Sequence, residues 1–356
     1  MTDDTLCRVD PEPRGSPQEL AAAITVAGAV GESLVDRSGV YAALDLGTNN
    51  CRLLIACPSG AGFRVIDSFS RIVRLGEGIS STGHISEAAI ERAIAALMIC
   101  RDKIRARKAG RLRLIATEAC RAASNSENFR GRVAAATGIE LEVIDRETEA
   151  ALAVIGCSPL IHPKARGAIL FDIGGGSTEL VRIERDRQGV DPHNKAWTSI
   201  PVGVVTLAER FGGHDVTPES YRSMVAEVTV HLDAFAAEHG FNLYGMHLLG
   251  TSGTVTTLGG LHLGLARYDR RKVDGIWMND IEVSQAIARL CGMDYQKRVA
   301  NGCIGAERAD LVLAGCAILD AIRQAFPLPR LRVADRGLRE GMLVEMMRDD
   351  GAIQLS

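Results

Sequence analysis

One pattern occurs twice in this chain, and it restricts the fold more than any other feature. Asp45-Leu46-Gly47-Thr48-Asn49-Asn50-Cys51-Arg52-Leu53-Leu54 can be laid over Asp172-Ile173-Gly174-Gly175-Gly176-Ser177-Thr178-Glu179-Leu180-Val181. In each copy an aspartate ends an apolar strand, a glycine follows two residues later, small polar residues make a turn, and a second apolar strand departs. Two copies of one unit, about 127 residues apart, imply two related lobes that face each other.

The surrounding patterns support a duplicated α/β fold. From Val40, the runs VYAALDLG, CRLLIAC and FRVIDSF read as a three-stranded meander over 40–70. Ser86 is an N-cap candidate for an amphipathic helix with Ile90, Ile94, Leu97, Met98 and Ile104 at helical spacing. LRLIAT and LEVID read as strands, and RETEAALAVIG as a helix. The series then restarts with GAILFDIGGGSTELVRIE and KAWTSIPVG. Helices follow near 203–211 and 218–239, and MHLLGTSG is a strand that opens into one more helix at TVTTLGGLHL. Late helices near 280–291 and 305–325, the strand LRVAD and a closing helix complete the chain.

The chain's 356 residues suit two domains better than one. A formal net charge of -3 argues against a nucleic-acid binder, so a polyanionic ligand would need local cations to override the bulk balance. The nine cysteines are odd in number and scattered, and no C-x-x-C occurs. Cys100, Cys291 and Cys316 sit in apolar runs, where cysteine acts as a small hydrophobe. Reduced thiols and a cytoplasmic setting follow. Residues 1–38 are expected to form a disordered tail. Their apolar stretch AAAITVAGAVG is about half a membrane span, so no membrane partner is expected.

The turns carry the chemistry. After a strand ends at Asp45, the backbone N–H groups of Gly47, Thr48, Asn49 and Asn50 can converge on one small volume, a nest for phosphate oxygens. A plain aspartate hairpin would read the same way. The second copy is more restrictive: three consecutive glycines are costly unless the backbone must approach a ligand, and Ser177 and Thr178 add hydroxyl donors. Three carboxylates, Asp145, Glu147 and Glu149, open the next predicted helix, where anions also suit the helix dipole.

Six segments, LDLGTNNCRLLIA, ATEACRAASN, VIDRETEAALAVIG, FDIGGGSTELV, LLGTSGT and ADRGLREGML, occur in one order over roughly 40–345. The chain therefore resembles the exopolyphosphatase/guanosine-pentaphosphate phosphohydrolase family of the actin-like superfamily. The resemblance implies two duplicated actin-like, ribonuclease H-like lobes with the active site between them. It implies an N-terminal lobe over 39–157 and a C-terminal lobe over 158–350, with the final helix packed on the first lobe. It implies that Glu149 polarises the attacking water, that Asp45 and Asp172 bind the metal, and that Arg121 clamps phosphate. Gly47, Thr48, Asn49 and Asn50 match the first phosphate loop. Gly174, Gly175, Gly176, Ser177 and Thr178 match the second. Ser252, Gly253 and Thr254 match a third turn, where relatives place a nucleoside or more distal phosphates. Similar proteins are often homodimers.

The expected reaction is Mg²⁺-dependent release of the terminal phosphate of inorganic polyphosphate, with Mn²⁺ as the alternative metal. Guanosine pentaphosphate is the alternative substrate. A non-catalytic sensor of polyphosphate or of that alarmone is the alternative of another class; it would have no need of acids beside a polyanion. Cations for a longer chain are expected from the basic stretch Arg101 to Arg113, or from Arg267, Arg270, Arg271 and Lys272. Two departures touch substrate preference. The first loop reads GTNN where many relatives read GSNS, and Arg336 stands where a glycine is usual.

Overall fold

A computed structural model describes residues 39–185 and 192–354. The expected tail lies outside the described residues. Eleven strands form two mixed sheets among the described residues. The first contains β1 (Tyr41–Leu46), β2 (Asn50–Ser59), β3 (Gly62–Ile72), β4 (Arg111–Ala116) and β5 (Glu142–Val143), in the order β3-β2-β1-β4-β5. The second contains β6 (Gly167–Ile173), β7 (Thr178–Arg185), β8 (Pro192–Ile200), β9 (Met246–Thr251), β10 (Trp277–Asn279) and β11 (Arg330–Ala334), in the order β10-β11-β9-β6-β7-β8. Stripped of β10, the second order reads as the first in reverse. In both sheets an antiparallel meander is extended by parallel strands. This is the duplicated actin-like arrangement that the sequence resemblance implied.

Strand alternation decides which side chains meet. On β1, Ala42, Leu44 and Leu46 join an outer core with the helix Glu87–Ala106. Tyr41 and Ala43 turn the other way. On β6, Ile169, Phe171 and Ile173 pack outward, while Ala168 and Leu170 turn inward. The inward residues of both sheets share one core with two helices, Arg146–Cys157 and Leu338–Asp349. These helices cross at glycines. A Cβ on Gly341 would lie 2.1 Å from the Leu152 carbonyl oxygen, and one on Gly156 would lie 2.1 Å from that of Gly337. The chain's last helix also packs on β1.

Asp45 and Asp172 have the inward parity, at the strand ends where the shared core stops. Cross-strand register extends each into a row of three: Asp45, Arg52 and Ser70 in one sheet, Asp172, Glu179 and Ser199 in the other. The two rows match except at the middle residue, where the charge is reversed.

Some expectations shift. The helix from Ser86 forms, with the serine accepting from the Ala89 amide at 3.3 Å. Met98 is 41% exposed because it lies off the core stripe. LEVID gives a strand of only two residues, since β5 is an edge held by two pairings. The late helix spans Val312–Ala325, and Ala306–Arg308 forms a separate 3₁₀ turn. Cys100 and Cys316 are buried; Cys291, near the end of the helix Asp280–Cys291, is exposed. Among the described residues no helix is long and apolar enough to cross a membrane.

Candidate active site

The duplicated turns close in the same way. Gly47 N–H donates to the Asn50 carbonyl at 2.9 Å, and Gly174 N–H donates to that of Ser177 at 3.0 Å. Among the described residues, the amides of Thr48, Asn49, Gly175 and Gly176 find no protein acceptor. The turns also meet. A Cβ on Gly175 would lie 2.8 Å from Thr48 Cβ, and one on Gly176 would lie 3.0 Å from Thr48 Oγ1. Glycine is required here by close approach rather than by torsion angle.

Between the sheets lies a cleft of about 640 Å³. Asp45, Gly47, Thr48, Asn49, Asn50, Glu149, Asp172, Gly174, Gly175, Gly176, Ser177, Ser252, Gly253 and Thr254 all line it. Fourteen of the sixteen sequence-chosen residues therefore gather in one place. Thr178 and Arg121 do not line it. Thr178 has outward parity, is fully buried, and donates through Oγ1 to the Val202 carbonyl at 2.7 Å. Arg121, expected to clamp phosphate, makes four hydrogen bonds to the protein itself. Its Nη2 donates to Glu149 and Glu118, each at 2.8 Å, its Nε to Glu118 at 3.0 Å, and its Nη1 to the Ile144 carbonyl at 2.8 Å. A second arginine, Arg146, pairs with Glu118 at 2.9 Å.

Local structure explains Glu149. Asp145 caps the helix Arg146–Cys157 by accepting from the Thr148 amide at 2.7 Å. Helical geometry then turns Glu147 to solvent and Glu149 into the cleft, its side chain 12% exposed. Burial, and next the charge of Glu179, pushes the Glu149 carboxyl up to about 8 against the pull of Arg121.

The other carboxylates at the cleft floor are raised too. Asp172 is pushed up to about 7 by burial and then by Glu149, with Arg52 opposing. Glu179 is pushed up to about 7 by burial and then by Asp172. Asp45 is raised by burial, opposed by Arg52 and Arg339. Glu179 accepts from Ser177 Oγ at 2.7 Å and from Ser199 Oγ at 2.9 Å. The register opposite Asp172 could have revealed Glu179 as a site residue, because strand alternation gives both the same face.

Other residues not singled out beforehand also line the cleft. Arg52, Arg308 and Arg339 find no protein hydrogen-bond acceptor for their side chains among the described residues. Burial lowers the pKa of Arg339, and burial and then the nearby Arg52 lower that of Arg308. Glu340 shows the opposite balance: burial raises it, but Arg339 and Arg270 outweigh that and hold it low.

The stretch 101–113 does not reach the cleft. Lys103 and Arg107 bind Asp67 at 2.7 and 3.0 Å, and Arg113 pairs with Glu142 and Glu345. Of the second basic group only Arg270 lines the cleft, paired with Glu340 at 2.6 Å. Arg336, the departure at the closing motif, pairs with Asp274, and its carbonyl accepts from Thr251 Oγ1 at 2.7 Å.

The donors suit a hard divalent cation. They are buried carboxylate oxygens, raised first by burial and, at Glu149, Asp172 and Glu179, next by a neighbouring carboxylate, and Asn49 Oδ1 is buried with no hydrogen-bond partner. Among the described residues no three carboxylates, imidazoles or thiols converge closely enough to chelate an ion by themselves. A cation here would complete its shell with water and substrate oxygens, as Mg²⁺ commonly does.

A family model described as the Ppx/GppA phosphatase family matches residues 54–350. A guanosine-5'-triphosphate,3'-diphosphate pyrophosphatase of Aeromonas hydrophila is 28% identical over 311 residues, covering 87% of this chain and 60% of that protein. The chain thus spans under two thirds of that relative's length. The crystal structure of the Aquifex aeolicus member of the Ppx/GppA family superposes with a TM-score of 0.72 at 29% identity, covering 87% of this chain and 98% of that one. An exopolyphosphatase from Cytophaga hutchinsonii superposes with a TM-score of 0.78 at 23% identity, covering 88% and 99%, a likeness of fold alone.

Proposed function

Because this chain belongs to the Ppx/GppA phosphatase family, we propose that it is an exopolyphosphatase, hydrolysing the terminal phosphoanhydride of inorganic polyphosphate in the cleft between its sheets. One observation carries this reading. The two phosphate turns meet edge to edge with unpaired amides, while Glu149 stands in the same cleft, held by Arg121. A pure binder would gain nothing from four raised carboxylates beside a polyanion.

Phosphoryl transfer asks mainly for positioning and charge stabilisation. The amides of Thr48, Asn49, Gly175 and Gly176 bind the terminal phosphate oxygens. Ser177 orders Glu179. Glu149 accepts the proton of a water whose oxygen attacks the terminal phosphorus in line, as the bridging P–O bond breaks and the shortened chain departs. A divalent cation held by Asp45 and Asp172 would neutralise charge on the phosphate oxygens. Arg52, Arg308 and Arg339 supply the cations that the remaining phosphates need, a role the stretch 101–113 cannot fill from its place outside the cleft.

The second reading is removal of the terminal 5'-phosphate of guanosine pentaphosphate, favoured by the likeness to the Aeromonas protein. Phosphate release from polyphosphate of defined lengths, set against the nucleotide under equal Mg²⁺, decides between them. If neither substrate yields phosphate, both readings fail.

A further inference from the structure

Behind the cleft, a second connection joins the two phosphate turns. The segment Val73–Ser80, leaving the edge strand β3, hydrogen-bonds to the first turn. Val73 and Arg74 N–H donate to the Asn49 carbonyl at 2.9 and 3.0 Å, and Gly76 N–H donates to that of Thr48 at 2.8 Å. The same segment then crosses to the other lobe. Arg74 forks onto Asp310, Nη1 to Oδ2 at 2.9 Å and Nη2 to Oδ1 at 3.0 Å, and also donates to the Glu307 carbonyl at 3.2 Å. Gly78 N–H and Ser80 Oγ donate to Glu209 at 2.9 and 2.5 Å. Glu209 belongs to the helix Val204–Phe211, whose first amides, of Val204 and Val205, donate to the Gly174 and Gly175 carbonyls of the second turn at 3.0 and 2.8 Å. The circuit closes on itself.

Arg74 is the member whose geometry asks for an explanation. Its φ of 47° is left-handed, a conformation in which a Cβ crowds the following carbonyl oxygen. A glycine would sit there without strain. The arginine side chain is 34% exposed and Asp310 16%, so the pair is shielded well enough, and bidentate enough, to exceed an ordinary surface ion pair.

We propose that Arg74 is a positioning residue. It ties the carbonyl side of the first phosphate turn to the segment Glu307–Asp310 of the opposite lobe, and so sets the spacing at which both turns grip one phosphate. The residue touches no substrate. It acts through Asn49 on one side and through the segment carrying Arg308 on the other.

The test is Arg74→Gly combined with Asp310→Asn, which relieves the backbone and leaves no unpaired carboxylate. The variant is expected to keep its thermal midpoint within about 4 °C. It is expected to raise KM about ten-fold or more with kcat within about three-fold. Arg74→Lys, lacking the fork, is expected to fall between. The charge exchange Arg74→Asp with Asp310→Arg is expected to recover most of the loss. Unchanged KM in the glycine variant would overturn the proposal, and so would a loss matched by a fall in midpoint that the exchange fails to restore.

The kinetic arm rests on the hydrolytic reading above. Two further arms do not. On a Glu149→Gln background, calorimetric binding of tripolyphosphate should weaken about ten-fold when the Arg74 pair is removed. Small-angle scattering should show a larger radius of gyration for the same variant. If the wild-type chain hydrolyses neither substrate, the proposed function fails while these arms still decide whether Arg74 positions the turns; equal radii and equal binding would overturn that role.

Discussion

One nitrogen of Arg121 bridges two carboxylates, donating to Glu149 and to Glu118 at 2.8 Å each. Glu149 Oε1 has no protein donor among the described residues, so one oxygen is fixed and the other is left for water. Removing the guanidinium has two consequences. Glu149 loses its anchor, and its carboxyl loses the charge that draws its pKa down. Arg121→Ala is expected to lose about 10²-fold in kcat. The ascending limb of its pH–rate profile is expected to move to higher pH. A profile measured from roughly two units below to roughly two units above the value of about 8 checks both. An unmoved limb would separate Arg121 from Glu149.

Glu149→Gln keeps the shape of the side chain and removes the base. It is expected to fold as wild type and to lose on the order of 10²- to 10⁴-fold in phosphate release. Turnover close to wild type would pass the role to Glu179, a buried glutamate of the cleft whose carboxyl, unlike that of Glu340, is raised.

The raised Glu149 carboxyl also bears on stability. In chelator, its folded value of about 8 lies above an unfolded value of about 4.3. Between the two, the folded state holds a proton that the unfolded state has released, so stability declines as pH climbs from about 5 to about 8. Urea midpoints across that range measure the slope, and Glu149→Gln is expected to flatten it.

Gly341→Ala places a methyl 2.1 Å from a backbone oxygen of the neighbouring helix, where no flexible side chain can give way. A loss of about 1–3 kcal/mol or more in unfolding free energy is expected. An unaffected midpoint would mean that the two crossing helices slide apart freely.

Chelation is expected to abolish phosphate release, and Mg²⁺ to restore it. Asp45→Ala should weaken that rescue, because only oxygen ligands are on offer at the cleft floor and the variant removes one carboxylate. Rescue at the wild-type Mg²⁺ concentration would release Asp45 from the metal role.

The duplicated turn made most of the architecture legible beforehand. Strand, turn and strand are local patterns, and two copies leave few ways to close a sheet pair. What the sequence left unread lies where three-dimensional pairing overrides local pattern. Arg121 looked like a phosphate ligand because an arginine cannot advertise which anion it will meet; here protein carboxylates reach it first. Thr178 sits in the right motif on the wrong parity, one residue from Glu179, which has the right one. Arg308 and Arg339 come from late segments whose place in the cleft depends on folding of the whole second lobe. The cationic helix end at 103–107 is held by Asp67 on β3, a contact with no counterpart in the local pattern.

The charge reversal between the two matching rows, arginine in one sheet and glutamate in the other, gives the crevice a direction. A chain of identical phosphates has no head or tail of its own. A pocket with two cationic walls would accept such a thread anywhere along its length. With Arg52 in one row and Glu179 in the other, a thread bound as proposed would place its end at the turns and trail its remaining phosphates toward the Arg52 side. On that reading, the preference for an end over an interior bond would come from this asymmetry acting together with Arg308 and Arg339 in the same cleft.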